Sequence, residues 1–243
     1  AKHQAQPARR TNNQFHNNSR PGPRPPLKCS IGLAQMIEDQ LFDSVDNDNY
    51  VEYGPNILTS GQLLHEVIND ILDVSRVETG TMIIRDESVD IDELCHTCLD
   101  MVRPQVNFAK LALHDKIQDR LPKIRGDAVR LKQVILNVLS NAIKFTPQGG
   151  NIDFSAHQED DGALTIIVSD SGYGIPPDKQ QTILEPFEQV SDIYTRNHEG
   201  SGMGLFLVNS LVTLHGGSLS IDSEVDTGTT ITIRLPAERT IAA

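Results

Sequence analysis

The spacing of apolar residues changes at Gly80 and divides the chain into two unlike parts. Before Gly80, apolar residues recur at steps of three and four, which is the period of an α-helix. After Gly80, helical stretches alternate with shorter segments in which apolar and polar residues alternate, as they do along half-buried β-strands. The pattern therefore predicts a helical segment followed by a mixed α/β domain, an α+β fold.

The part before Gly80 contains two apolar stripes that predict two helices. The first begins after Leu27 and should stop near the polar residues 46–49. The second has the spacing of a bundle helix and ends at Gly80; its apolar positions are Ile57, Leu64, Val67, Ile68, Ile71 and Val74. Because two such helices bury little surface alone, we expect residues 27–80 to form an antiparallel helical hairpin that becomes a four-helix bundle as a dimer. A hairpin that packs inside one domain is the alternative.

The first 28 residues differ from the rest in charge. They hold six basic residues, no acidic residue and five of the 13 prolines. Prolines at 21, 23, 25 and 26 should prevent a continuous helix, so residues 1–26 are predicted to be disordered. The whole chain has a net charge of −12. This charge argues against a general affinity for nucleic acid, because binding to phosphate depends on positive charge.

The composition also predicts in which cellular compartment this part of the protein lies. No apolar run approaches the roughly 18 to 20 residues that span a bilayer, and no signal-peptide pattern occurs at the start. We therefore expect a soluble, cytoplasmic portion, anchored to a membrane only through a region upstream. Three cysteines fit a reducing compartment. Cys95 and Cys98 have the spacing of half a zinc site, but no second half follows, which favours small inward-facing residues on a helix over 90–108.

The strongest helical pattern runs over residues 127–145. Asp127 is a good N-cap, and one side of the predicted helix is apolar. Asn137, Asn141 and Lys144 fall on the opposite side at steps of three or four. A side-chain amide can offer its oxygen to a divalent cation, and an ammonium group can neutralise phosphate charge. Two asparagines inside a helix carry a propensity cost, which favours a binding site.

Two glycine-containing segments follow. Residues 170–175 come after a predicted strand over 163–169; their glycines permit close approach of a ligand, and Asp170 can accept a hydrogen bond from an amino group. A turn with an acid is the alternative. Residues 200–205 lead into a predicted helix over 205–214, whose first N–H groups suit phosphate oxygens. Residues 200–205 are not a Walker loop, because no Lys-Ser/Thr follows the glycines, and not a Rossmann fingerprint, because no strand precedes them. A flexible hinge is the alternative to a phosphate-binding segment.

In this order and spacing, the segments resemble the sensor histidine kinases of two-component signalling, within the Bergerat-fold ATPases. The asparagine box covers residues 126–146, the first glycine box 170–175, the phenylalanine box 184–189 and the second glycine box 200–205. Residues 214–217 and 228–230 also resemble the closing segments of the family. The resemblance implies an ATP-binding two-layer α/β sandwich over residues 87–238.

The resemblance also implies a role for each box. Asp170 would bond the adenine amino group, Asn141 together with Asn137 would hold Mg²⁺ at the ATP phosphates, and Lys144 would offset phosphate charge. Residues 189–200 would form a lid that folds over the nucleotide. The implied ATP-binding residues are Asn137, Asn141, Lys144, Asp170, Gly172, Gly174, Ile175, Arg196, Gly200, Ser201, Gly202, Met203, Gly204 and Leu205.

Asn137 bears on the reaction. Related Bergerat ATPases that hydrolyse ATP place Glu at this position, where it activates water. An amide cannot act as that base, so asparagine fits transfer to a protein nucleophile.

The chain departs from the family at the phosphoacceptor. Residues 60–78 resemble the second dimerisation helix, and residues 24–34 resemble the stretch that follows the accepting histidine. The family expects His-Glu-Leu-Arg-Thr-Pro-Leu, whereas residues 21–27 read Pro-Gly-Pro-Arg-Pro-Pro-Leu. Pro21 therefore stands at the acceptor position and has no nucleophile. His16 lies five residues upstream, and His65 is expected to face solvent or packing; neither is assigned as the acceptor.

The resemblance predicts a histidine kinase core that transfers a phosphoryl group from Mg-ATP to a protein histidine. It implies a homodimer and, as partner, the receiver domain of a response regulator. Pro21 favours an alternative, an ATP-binding pseudokinase or scaffold that cannot autophosphorylate and whose shape is recognised by a partner. A third class, an ATP-hydrolysing conformational machine, is disfavoured by Asn137.

Overall fold

The computed structural model describes residues 24–38, 48–188 and 201–241, with side chains for 29–37, 53–188 and 201–241. The α-helices of these residues are α1 Arg24–Glu38, α2 Asp48–Glu78, α3 Ile91–Phe108, α4 Ala128–Phe145 and α5 Gly204–Leu214. The β-strands are β1 Glu87–Asp90, β2 Ala112–Ile117, β3 Lys123–Gly126, β4 Asn151–Gln158, β5 Leu164–Asp170, β6 Ser218–Glu224, β7 Gly228–Leu235 and β8 Thr240–Ile241. The chain divides after Ser75 into a helical unit, with which Ser201 clusters, and an α/β unit.

The helical unit consists of α1 and α2. Both helices begin earlier than their sequence predicts. α1 begins at Arg24, so the disorder predicted up to Pro26 is wrong for residues 24–26; Pro25 and Pro26 lie in the first turn, where a helix does not use the backbone N–H that proline lacks. α2 begins at Asp48, inside the predicted polar break, and contains Pro55. Residues 39–47 lie outside the described residues.

The apolar residues of α2 point to more than one side. Val67 and Val74 are buried, as the bundle pattern predicts. Leu58, Leu63, Ile68 and Leu72 are between 43% and 62% exposed. The helix ends where predicted, because Gly80 has a φ of +65° and its N–H donates to the Val77 carbonyl at 3.0 Å.

The α/β unit is the two-layer sandwich that the sequence predicted. Its main sheet has the strand order β2-β4-β5-β7-β6, in which β2 and β4 are parallel and the other neighbours are antiparallel. A smaller antiparallel sheet has the order β1-β3-β8. Apolar residues of α3, α4 and α5 form one core with alternate residues of the main sheet, such as Ile152, Phe154 and Ala156 on β4. Near the C-terminus, β6 and β7 form an antiparallel hairpin.

Helix α4 confirms its sequence prediction closely. Asp127 is its N-cap, and its Oδ1 accepts hydrogen bonds from the N–H groups of Val129 and Arg130, both at 3.1 Å. Its Oδ2 accepts a third bond from the N–H of Arg85 at 3.0 Å. The apolar face of α4 is buried in the core, and its buried residues are Leu131, Val134, Ile135, Val138, Leu139 and Ala142.

Cys95 and Cys98 lie on the inner face of α3, both fully buried and neither in a disulfide. Burial raises the pKa of both thiols, that of Cys98 to about 11, which keeps them protonated and disfavours metal binding. In the part of the chain that the structure describes, no group of three or more His, Cys, Asp or Glu residues could hold a metal ion. Within the same residues, no helix has the length and hydrophobicity that crossing a membrane requires.

A buried histidine joins the end of α5 to the start of α4. His215 is completely buried. Its Nδ1 donates to the Leu211 carbonyl at 2.7 Å, and its Nε2 accepts from the N–H of Asp127 at 3.0 Å. The second bond requires a lone pair on Nε2, so the ring is neutral. Burial lowers the pKa of His215, which favours the same neutral form.

Because of His215, the folded protein should become less stable as the pH is lowered. The unfolded chain binds a proton on His215 near pH 6.5, whereas the folded chain does so only at lower pH. Unfolding is consequently favoured as pH falls below 6.5 towards the folded pKa. We expect His215→Gln to lower stability at pH 7 by about 1–3 kcal/mol and to flatten the loss of stability between pH 7 and 5, as measured by urea unfolding. His114→Gln, at an exposed position, should keep the slope of the parent; an unchanged slope in His215→Gln would contradict the assignment.

Candidate functional site

The polar side of α4 carries the three residues that the sequence singled out. Asn137, Asn141 and Lys144 are all half-buried, on successive turns of the helix. Asn137 lies beside the start of α5, because its Nδ2 is 4.0 Å from the point where a side chain on Gly204 would begin. Lys144 Nζ lies 4.9 Å from the centre of the Phe145 ring. The helix therefore presents amides and a cation in one row beside a helix N-terminus.

The turn after β5 is attached to the end of the same helix. Asp170, the last residue of β5, accepts hydrogen bonds at Oδ1 from the N–H groups of Gly172 at 2.8 Å and Thr229 at 3.3 Å. The N–H of Tyr173 donates to the Phe145 carbonyl at 3.2 Å. The asparagine-bearing helix and the first glycine segment thus meet at Phe145, although about 25 residues of sequence separate them.

Two glycines of this turn have no room for a side chain. A Cβ on Gly172 would lie 2.5 Å from the Phe145 carbonyl oxygen, and a Cβ on Gly174 would lie 2.0 Å from the Glu224 carbonyl oxygen. Gly174 also has a φ of +69°, which residues with side chains rarely adopt. These glycines therefore allow the turn to pack directly against α4 and the β6–β7 connection.

Asp170 is the charged group of this turn. Burial raises the pKa of its carboxyl, and the N–H bonds from Gly172 and Thr229 act in the opposite direction. Both bonds reach Oδ1; among the described residues, no donor to Oδ2 is found. The second oxygen can accept a hydrogen bond from a ligand amino group.

The second glycine segment is held by the phenylalanine box. The N–H of Phe187 donates to the Gly202 carbonyl at 3.0 Å, and Gly202 has a φ of +68°. Met203 is buried at the N-cap position of α5, Gly204 begins the helix and Leu205 is half-buried. The first N–H groups of α5 therefore start next to Asn137.

The remaining predicted site residues are Arg196, Gly200, Ser201 and Ile175. Arg196 and Gly200 lie outside the described residues. Ser201 clusters with the helical unit, where its hydroxyl donates to Asp70 Oδ2 at 3.1 Å. Ile175 is placed in the turn as predicted, and its N–H donates to Ser223 Oγ at 2.8 Å.

Sequence reasoning missed two residues that fix the turn. Ser223 accepts from Ile175 and donates to the Gly228 carbonyl at 3.0 Å. Gln180 Nε2 donates to the carbonyls of Ile175 at 3.1 Å and Ser223 at 2.7 Å. The contacts of Ser223 with Ile175 and with Gln180 span 48 and 43 residues of sequence, and neither Ser223 nor Gln180 belongs to a box, so nothing local marked them.

Comparison with known proteins identifies the family. Residues 126–239 match the family described as histidine kinase-, DNA gyrase B- and HSP90-like ATPase. The solved structure of a mycobacterial sensor histidine kinase, MprB, is 31% identical with a TM-score of 0.55, and the match covers 64% of this chain and 99% of that one. The chain belongs to the sensor histidine kinases. The α/β unit is the ATP-binding core of this family, with the Bergerat fold that the resemblance implied.

Longer relatives extend the likeness beyond the α/β unit. Full-length ShkA, solved in complex with AMPPNP, matches with a TM-score of 0.70 at 27% identity over 90% of this chain and 44% of that chain. The non-motile and phage-resistance protein of Caulobacter vibrioides is 35% identical over 235 residues, 96% of this chain and 28% of the relative. The cell-division control histidine kinase PdhS of Brucella anthropi is 33% identical over 227 residues. The match covers 90% of this chain and 22% of the relative. This kinase chain thus spans less than a third of those two relatives.

The close approach at Gly174 predicts a measurable cost. Gly174→Ala should destabilise the kinase core by more than the roughly 1–2 kcal/mol that a positive φ costs an alanine, because the new Cβ would also strike the Glu224 carbonyl. Gly149→Ala is the matched control, since Gly149 has a φ of +87° and open space around it. Urea unfolding of both variants measures the difference. Equal losses of stability would show that the close approach has no energetic consequence.

Proposed function

We propose that this chain is the catalytic core of a two-component kinase that binds Mg-ATP and transfers its γ-phosphoryl group to a protein histidine. The observation that carries the proposal is the convergence of α4, the turn after β5 and the start of α5. These elements contribute amides, a half-buried carboxylate and a helix N-terminus, and each group suits a different part of ATP.

The adenine would be recognised by Asp170. Its carboxylate is fixed in place by two backbone N–H groups at Oδ1, which leaves Oδ2 to accept from the adenine amino group. The partial burial of the carboxylate strengthens such a bond, because water competes less. The glycines at 172 and 174 keep the rim of this pocket free of side chains.

The triphosphate would lie along the polar side of α4. The amide oxygens of Asn137 and Asn141 are suitable ligands for Mg²⁺, which takes oxygen donors and is commonly bound by one or two protein groups together with substrate phosphates. Lys144 follows one turn later and can offset phosphate charge. The first N–H groups of α5, beside Asn137, supply a further site for phosphate oxygens.

The polar side of α4 favours transfer over hydrolysis. Asn137 is an amide and cannot remove a proton from water. The residues of this row therefore bind and orient ATP, and the nucleophile comes from elsewhere. A receiver domain of a response regulator would then take the phosphoryl group, and the exposed apolar side chains of α2 fit a homodimer in which they are covered.

The second candidate function is an ATP-responsive scaffold, which Pro21 favours. Pro21, at the family's acceptor position, lies outside the described residues. Incubation with labelled ATP in the presence of a separate hairpin that carries a histidine discriminates the two. Acid-labile, base-stable label on this chain or on the added hairpin supports the kinase; ATP binding without any label supports the scaffold. Steady release of phosphate at ordinary enzyme rates would favour a hydrolysing machine.

Asp170→Asn tests the adenine contact. The amide oxygen can keep the two backbone bonds, so the fold should remain, but the carboxylate that accepts from the adenine amino group is lost. We expect ATP affinity to fall about 10- to 100-fold, the value of a hydrogen bond to a charged group. Isothermal calorimetry with Mg-ATP measures the change. Asp178→Asn, an exposed carboxylate in the same loop, is the control; equal affinities of the two variants would contradict the assignment.

Asn141→Ala tests the phosphate end. Removal of one oxygen ligand should weaken the binding of ATP in magnesium and should have less effect when magnesium is chelated. Calorimetry with and without magnesium measures both. Asn107→Ala, at the exposed end of α3, should behave as the parent. The same loss of affinity with and without magnesium would rule out a role for Asn141 in holding the metal.

A further inference from the structure

We infer that Gln180 is a positioning residue for the adenine end of the nucleotide site. The inference rests on the proposed function, because it concerns the turn after β5 that would receive the adenine. Gln180 belongs to none of the four sequence boxes. It acts by holding the turn that contains Gly172 and Gly174 in place relative to Asp170.

The amide of Gln180 joins two separate parts of the chain. Its Nε2 donates to the Ile175 carbonyl in the turn at 3.1 Å and to the Ser223 carbonyl on β6 at 2.7 Å. Because both neighbours are acceptors, only the nitrogen side of the amide fits between them, and its two hydrogens match the two carbonyls. A side chain without a donor cannot make this bridge.

The segment that carries Gln180 is itself anchored, so the amide is presented from a fixed backbone. The N–H of Lys179 donates to the Pro176 carbonyl at 2.9 Å, and the N–H of Ile183 donates to the Lys179 carbonyl at 3.0 Å. Ile183 is buried and Gln180 is half-buried. Partial burial reduces the competition of water for the hydrogen bonds of Gln180, which strengthens the bridge.

Ser223 connects this bridge to the carboxylate. Its Oγ accepts from the N–H of Ile175 at 2.8 Å and lies 2.8 Å from Thr229 Oγ1. The N–H of Thr229 donates to Asp170 Oδ1 at 3.3 Å. Strand pairing aligns these groups, because Thr229 on β7 lies opposite Ser223 on one side and Asp170 on the other. The end of the turn is thus tied back to the carboxylate at its beginning.

The turn is therefore held at three places. Its start is bonded to Asp170 through the N–H of Gly172, and its middle is bonded to the end of α4 through the N–H of Tyr173. Gln180 and the strand it reaches fix the end. Without this last anchor, the glycines can move away from β6 and the pocket beside the carboxylate loses its shape. Adenine binding should weaken, whereas the groups on α4 and α5 that suit the phosphates keep their places.

The test uses the full chain and two neighbouring glutamines. Gln180→Met keeps the length of the side chain and removes the donor, and Gln181→Met makes the same change at the exposed next position. Isothermal calorimetry should show that Gln180→Met binds ATP about 3- to 10-fold more weakly than the parent, the value of an uncharged hydrogen bond. The loss should be the same for ADP, and the same when magnesium is chelated. Gln181→Met should bind as the parent does.

A double-mutant cycle separates positioning from a purely structural role. If Gln180 acts through the contact between Asp170 and adenine, Gln180→Met should cost less affinity when Asp170→Asn is already present than it costs in the parent. A general loosening of the fold would cost the same in both backgrounds. The melting temperatures of all the variants, measured without nucleotide, report the structural effect by itself.

Three results would overturn the inference. The first is a Gln180→Met variant with a lowered melting temperature and the ATP affinity of the parent. The second is a loss of affinity that appears only in magnesium, and the third is a loss of equal size with and without Asp170→Asn. Each of these leaves the proposed function intact, because the parent still binds ATP. A well-folded parent that binds no ATP would refute the proposed function itself, and the role of Gln180 with it.

Discussion

The placement of α4 determines the geometry of the candidate site, and hydrogen bonds hold this helix at both ends. At its start, Asp127 receives three backbone N–H bonds through its carboxylate and gives its own N–H to the buried ring of His215. At its end, the Phe145 carbonyl accepts from Tyr173 in the turn after β5. Between these points, six apolar residues are buried in the core. The helix cannot rotate without exposing them, so its polar side faces one fixed direction.

This constraint explains why the helix was predictable from sequence. An N-cap, an apolar stripe and a polar stripe are all local properties, and they agree with one another over residues 127–145. The same holds for α3, α5 and β5, whose patterns predicted their types and placed their ends within a few residues. The asparagine box on α4 and the first glycine box after β5 could also be recognised from sequence. Asparagines are unfavourable inside a helix, and glycines with an aspartate directly after a strand stand out from the apolar pattern.

What sequence did not provide was the set of long-range contacts. His215 was noted only as part of a closing segment, yet it bonds a residue 88 positions away. Ser223 and Gln180 fix the turn after β5 through pairings that depend on the register of β6 and β7. The start of α1 was misjudged for a different reason. Proline was treated as a helix breaker over residues 21–26, although in a first turn its missing N–H has no partner to lose.

The chemistry of the site leaves one role to be filled by another segment. The row on α4 supplies amides and a cation, the turn after β5 supplies a half-buried carboxylate, and α5 supplies backbone N–H groups. In the proposed function each of these groups is engaged by ATP itself, so none of them is the nucleophile. The proposed function therefore needs a nucleophile that arrives from outside the sandwich.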